Sequence, residues 1–186
     1  MAAWSQLLLP IALSAVFVFI ASSIIHMVLK WHNPDYRKLN NEDEVSAALR
    51  KGAHTPGQYI IPHCLDAKDA AAPEMAKKFA DGPIGVLYIK PNGQMKLGPF
   101  LMKWVIYTVV VGALVAYIAR FTLKTGATYD EVFRLVSACA WLAYAWSMPS
   151  DSIWKGKPWS STVRSLIDGL VYALLTAGTF AWLWPR

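Results

Sequence analysis

Between Met1 and Leu29 the chain carries no Asp, Glu, Lys or Arg. About 20 apolar residues are enough to cross the hydrocarbon core of a bilayer, so the run from about Leu7 to Leu29 is long enough to span it. A cleaved leader would open on a positive segment and hold a shorter apolar core. Here "MAAWSQ" is uncharged, and the run is closed by Lys30, Arg37 and Lys38. That stop-transfer pattern predicts a retained span. Cysteine is equally sparse: Cys64 and Cys139 are the only two, too few for a disulfide framework. The signatures of common catalytic sites are missing too. There is no G-x-S-x-G, no H-E-x-x-H and no C-x-x-C, and "KPNGQ" is not a phosphate loop. These absences argue against an enzyme and against a metal or cofactor.

What the chain has in quantity is apolar surface. Hydrophobic residues make up 55% and charged ones 16%, where soluble domains run nearer a quarter charged. Three further spans are predicted, at about Phe100–Leu123, Tyr129–Met148 and Ser161–Trp184. Lys103 and Arg120 lie near the ends of the second, where long side chains reach the interface. Tryptophans, including Trp4, Trp31, Trp104, Trp146, Trp182 and Trp184, fall near span ends in the manner of an aromatic belt. This reads as anchoring rather than as a ligand cage. Gly126, and Thr128 with Glu131, mark a tight turn and a capping box between spans two and three. Pro149 and Pro158 bound the last link, with Ser160 or Ser161 as the expected cap of the fourth span.

The fold expected is therefore an all-α membrane protein with four transmembrane helices and a small α/β cytoplasmic insert between the first and second. The division runs 1–30, 31–99 and 100–186. All but four of the 18 Lys and Arg residues lie between Lys30 and Lys103 or between Lys155 and Arg164; the exceptions are Arg120, Lys124, Arg134 and Arg186. The positive-inside rule then places the long loop in the cytoplasm and both termini outside. The pattern resembles that of bacterial inner-membrane proteins. The net charge of +6 follows from this topology and from anionic lipid. No basic stripe interleaved with aromatics suggests nucleic acid.

The insert has orderly local signals. "NEDEVSAALRKG" predicts a short helix capped by Asn41, with acids in its first turn and Gly52 at its end. "PEMAKKFADG" predicts another, opened by Pro73 and stopped by Gly82. "IGVLYIKPNGQMKL" predicts a β-hairpin turning at Asn92-Gly93, and Gln58–Ile61 is a candidate third strand. Leu87 and Ile89 oppose Ile84, Val86 and Tyr88, a pattern suited to a strand covered on both faces.

Three groups of residues are candidates for function. His63-Cys64, with His54 nearby, fails as a metal site, because adjacent residues of an extended segment point to opposite faces. His26 and His32 lie six apart, well out of phase on a helix, so they are not expected to face one haem together. Asp168 in "RSLIDGLVY" is the strongest candidate, since a carboxylate in an apolar helix is unusual. It lies near the cytoplasmic edge, with Arg164 one turn before it and Lys103 on the same side. These three form a candidate structural or transport polar site. Gly169, Ala173 and Ala177, with Gly112 and Ala116, recur every four residues as small-residue ridges that let helices approach closely. The role expected is a non-catalytic structural, assembly or accessory subunit. Its partners would be membrane lipids and other membrane subunits or copies of itself. A small oligomeric transporter or channel, with Asp168, Arg164 and Tyr172 on its pathway, is the alternative.

Overall fold

The computed structural model describes residues 1–186. In chain order the elements are α1 (Trp4–Ser23), α2 (Glu42–Lys51), β1 (Gly57–Ile61), α3 (Ala67–Ala70), α4 (Pro73–Asp81), β2 (Gly85–Ile89), α5 (Leu97–Thr122), α6 (Tyr129–Ala145), α7 (Pro149–Lys155) and α8 (Trp159–Trp182). They fall into two compact units. One holds Met1–Tyr36, Lys96–Ser152 and Lys157–Arg186, and the other holds Arg37–Met95 with Ile153–Gly156.

The first unit is a helix bundle. Three of its helices are long and apolar enough to cross a membrane: α1 with the turn that continues it to Val28, α5, and α8. The expected third span is shorter than the sequence reading had it. Helix α6 stops at Ala145, after 17 residues, and carries Asp130 and Glu131 in its first turn. At about 1.5 Å per residue it reaches about 26 Å, short of a typical hydrocarbon core. The residues from Trp146 to Met148 form a turn, and Pro149 opens α7 within the link to α8.

Small residues set the spacing of the bundle. In lipid there is no hydrophobic drive to bring helices together, so close packing has to do it. A Cβ placed on Gly169 would fall 2.5 Å from Ala145 Cβ, so α8 rests directly on α6 at this point. One on Gly112 would meet Ile11 Cγ2 at 3.4 Å, where α5 crosses α1. Ala116, Ala173 and Ala177 are fully buried. Both predicted ridges therefore lie in packed faces, and the core around them is filled by Leu7, Val18, Val115, Val136 and Phe180.

One end of the bundle is tied by its turns. Thr128 and Glu131 form the expected capping box. Gly126 takes φ +80°, a region that suits glycine, and donates its N–H to Pro185 O at 2.8 Å. Trp184 Nε1 donates to Lys124 O at 3.0 Å. The Arg120 guanidinium lies 4.8 Å from the Trp4 ring centroid, bringing the start of α1 to the end of α5. Helix α8 begins at Trp159 behind Pro158 rather than at a serine cap; Ser161 and Thr162 N–H both bond Pro158 O.

The second unit has the predicted helices α2 and α4, with Pro73 at the first helical position. Asn41 makes no side-chain cap bond. The predicted hairpin does not form. β2 pairs antiparallel with β1, from Gly57 opposite Ile89 to Ile61 opposite Gly85. Beyond Asn92-Gly93 only Gln94, Met95 and Lys96 precede α5, too few for a returning strand. Met75 is the one buried apolar residue in this unit.

Candidate functional site

The site forms where α1 ends. Ile24–Val28 is a wider, π-helical turn, a feature often found at functional sites. The helix stops at Leu29, and Lys30 takes the left-handed conformation, φ +52°. For a residue with a side chain this costs about 1 kcal/mol or more and persists where the surroundings impose it. The chain then reverses through Asn33–Asp35, a single 3₁₀ turn with proline in its first positions. Reversal brings His32 back beside His26, with ring centroids 4.7 Å apart. The expectation that the two histidines diverge assumed a helix running through both, and the helix ends between them.

Helix α8 presents Asp168, 5% exposed, to this reversed segment. His32 Nε2 lies 2.6 Å from Asp168 Oδ2, and Trp31 Nε1 donates to Asp168 Oδ1 at 3.2 Å. His26 Nε2 is 3.9 Å from Asp168 Oδ2 and 3.5 Å from the Tyr172 hydroxyl. The other nitrogen of His32, Nδ1, is 2.7 Å from Asp35 Oδ2. Arg164 donates through Nη1 to Asp35 Oδ1. Arg164, one turn before Asp168, therefore pairs with Asp35 and not with Asp168. The local i, i+4 pair read from the sequence gives way because Asp35 arrives by the chain reversal and offers the guanidinium a buried partner.

Both imidazole nitrogens of His32 face a carboxylate. A neutral ring has one N–H, so it donates to one of the two carboxylates and turns a lone pair to the other. Burial at Asp35 disfavours its charge. The hydrogen bonds from His32 and Arg164, together with the guanidinium charge, outweigh that, and they hold the Asp35 carboxyl below its ordinary value.

Asp168 also lines a cavity of about 500 Å³. Trp104, Tyr107, Tyr144 and Tyr172 form one wall of it, a cluster in which each ring touches two others, with centroids 5.4 to 6.0 Å apart. Lys103 lines the same cavity, so two of the three predicted polar residues share it. A second, apolar groove of about 330 Å³ adjoins it through His26, Phe100 and Trp104 and is lined further by Met27, Leu97 and Leu101. Several tryptophans read as anchors turn out to serve within the chain. Trp104 Nε1 donates to Ser22 Oγ at 2.9 Å and Trp31 holds Asp168, while Trp154 and Trp182 are exposed.

No family model, curated protein or solved structure matches this chain.

Sequence reasoning missed Asp35 and misjudged the His26–His32 pair. A signal was present: Asn33-Pro34 is a turn dipeptide, and it follows directly on the stop-transfer charge at Lys30. Read together, these mark a reversal of the chain that returns His32 toward the end of the first span.

Proposed function

We propose that this chain is an integral membrane protein of four crossings, with the 17-residue α6 completing the bundle and its shortfall of a few Å taken up by local thinning of the bilayer, Arg37–Met95 cytoplasmic and both termini outside. We propose further that it binds a small amphipathic ligand in the cavity beside Asp168. The observation that carries this reading is a buried carboxylate opening on a 500 Å³ aromatic-walled cavity. Cavities of this size, mostly apolar with a few convergent polar groups, are the usual form of ligand sites. The adjoining groove between the ends of α1 and α5 suits a molecule that arrives dissolved in the bilayer, its polar end at Asp168 and Lys103. The accessory-subunit role draws on the lack of a catalytic constellation in the sequence together with its tryptophan belts, small-residue ridges and amphipathic insert. His26, His32 and Asp168 supply one, so a binding role is the better account.

Native mass spectrometry of the chain released from nanodiscs tests the binding reading. A retained small molecule is expected in the wild type and lost in Ser165→Trp, which fills the cavity. A bare chain in both, or the same adduct in both, overturns it. For the orientation, Cys64 is expected to resist an impermeant maleimide added outside intact cells; fast labelling would reverse the topology.

A further inference from the structure

We propose that His26, His32 and Asp168 form a binding site for one divalent first-row transition ion of the zinc and ferrous class. The inference goes beyond the ligand cavity and does not need that cavity to be filled. Three potential ligand atoms, one from each residue, lie within 4.8 Å of one another. The nearest pair, His32 Nε2 and Asp168 Oδ2, is 2.6 Å apart, and His26 Nε2 stands 3.9 Å from the same oxygen. Metal–ligand bonds of about 2.0–2.1 Å place tetrahedral ligands about 3.4 Å apart. An ion would thus spread the first pair by about 0.8 Å, draw His26 toward Asp168 by about 0.5 Å and close the widest separation, at most 4.8 Å, by up to about 1.4 Å. His26 is free to make that move: its side chain is 50% exposed and it sits on the π-helical turn rather than in the packed part of α1.

The surroundings of the cluster favour a metal more than the cluster alone does. A metal-ligating histidine commonly donates its second ring N–H to a carboxylate, which fixes the ring and makes it a better ligand. Asp35 stands in that position on His32, at 2.7 Å, and Arg164 fixes Asp35 in turn. Asp168 has its second oxygen held by Trp31, leaving Oδ2 for the ion. Binding replaces the proton between His32 Nε2 and Asp168 Oδ2, and that proton leaves to solvent. The ion resolves the problem of a ring facing two carboxylates, since Nε2 then donates a lone pair while Nδ1–H keeps its bond to Asp35. It also offsets the charge of Asp168 at the membrane edge. Two imidazole nitrogens with one carboxylate oxygen select against magnesium and calcium, which take oxygen ligands, and against soft cuprous ion, which takes sulfur. Three protein ligands leave a further position open, on the side where Tyr172 and the cavity lie.

The full chain, in nanodiscs and stripped with a chelator, is titrated with Co²⁺. One equivalent per chain is expected, with the intense visible bands of a four- or five-coordinate site, displaced by Zn²⁺. His26→Ala and His32→Ala are each expected to weaken Co²⁺ binding by more than about 100-fold. Asp35 is a positioning residue, and Asp35→Asn is expected to weaken it by about 10- to 100-fold while keeping the spectrum. His54→Ala and His63→Ala are expected to change nothing. Asp168 is buried where removal also disturbs the fold, so His26→Ala, at a half-exposed side chain, carries the decision, with helicity by circular dichroism as the fold control. Absence of stoichiometric Co²⁺ in the folded wild type overturns the proposal, as does binding that survives the double variant of His26 and His32. The cobalt spectrum and the cavity adduct are separate readouts, so failure of one proposal is distinguished from failure of the other.

Discussion

The bundle and the insert are built from opposite kinds of information. In the insert nearly every local signal is present: acids at the start of α2, Pro73 opening α4, β-prone residues in both strands. Yet Met75 is its one buried apolar residue, and Ile84 and Tyr88 remain 65% and 56% exposed. Within the chain itself, β2 therefore keeps apolar surface such as Tyr88 exposed. In the bundle local signals are weaker, but the close approach of α6 and α8 and the buried polar cluster leave few positions free to change. Local propensity can specify an element without a core, whereas a site of fixed geometry needs the packed surroundings.

Glycine substitutions should separate the two regions most sharply. Gly169→Leu forces α8 from α6 and is expected to cost about 3 kcal/mol, read as a loss of thermal stability in detergent. Gly85 in the insert has nothing within 4 Å of an added Cβ, and Gly85→Ala is expected to be neutral or slightly stabilising. Similar losses from both would break the comparison.

The polar cluster comes next in size. Arg164→Leu leaves a carboxylate that is only 5% exposed without its guanidinium, and a loss of about 2 kcal/mol is expected. Because the Asp35 carboxyl is held below its ordinary value, its contribution is present above the unfolded carboxylate value of about 3.9 and is lost as pH falls through the lower, folded one. The melting temperature should therefore drop on acidification below about pH 4, and it should drop less steeply in Asp35→Asn. An identical acid profile for the two proteins would remove Asp35 from the network.

Smaller effects refine the picture. Gly126→Ala imposes a side chain at φ +80° and is expected to cost about 1 kcal/mol, measured by the same unfolding assay. Leu87→Ala, half-buried in β2, is expected to cost less than about 1 kcal/mol. A larger loss at Leu87 would mean that the strand is covered after all.

Much of the bundle was legible because spans announce themselves by length and by the absence of charge. The capping box at Thr128 and the ridges at Gly112 and Gly169 were also readable, since each depends on residues close in sequence or repeated every four. The strand pairing was misread for a related reason. Asn92-Gly93 is a strong turn signal in any chain, and only the nearness of α5 takes away the residues that would complete a hairpin. Asp168 was found as a charge out of place, but its partners were not, because Trp31 and His32 lie more than 130 residues away.

By itself the sequence determined that this chain holds long apolar helices, which small residues let them pack closely, and that a carboxylate stands among them. Those properties follow from composition and short-range period. Only the tertiary structure decided that Arg164 turns to Asp35, that His26 and His32 converge on Asp168, and that four aromatic rings line a cavity beside it. The reason is geometric: a chain reversal at Lys30 sets directions in space that no residue spacing encodes, and the side chains that meet there belong to segments far apart along the chain.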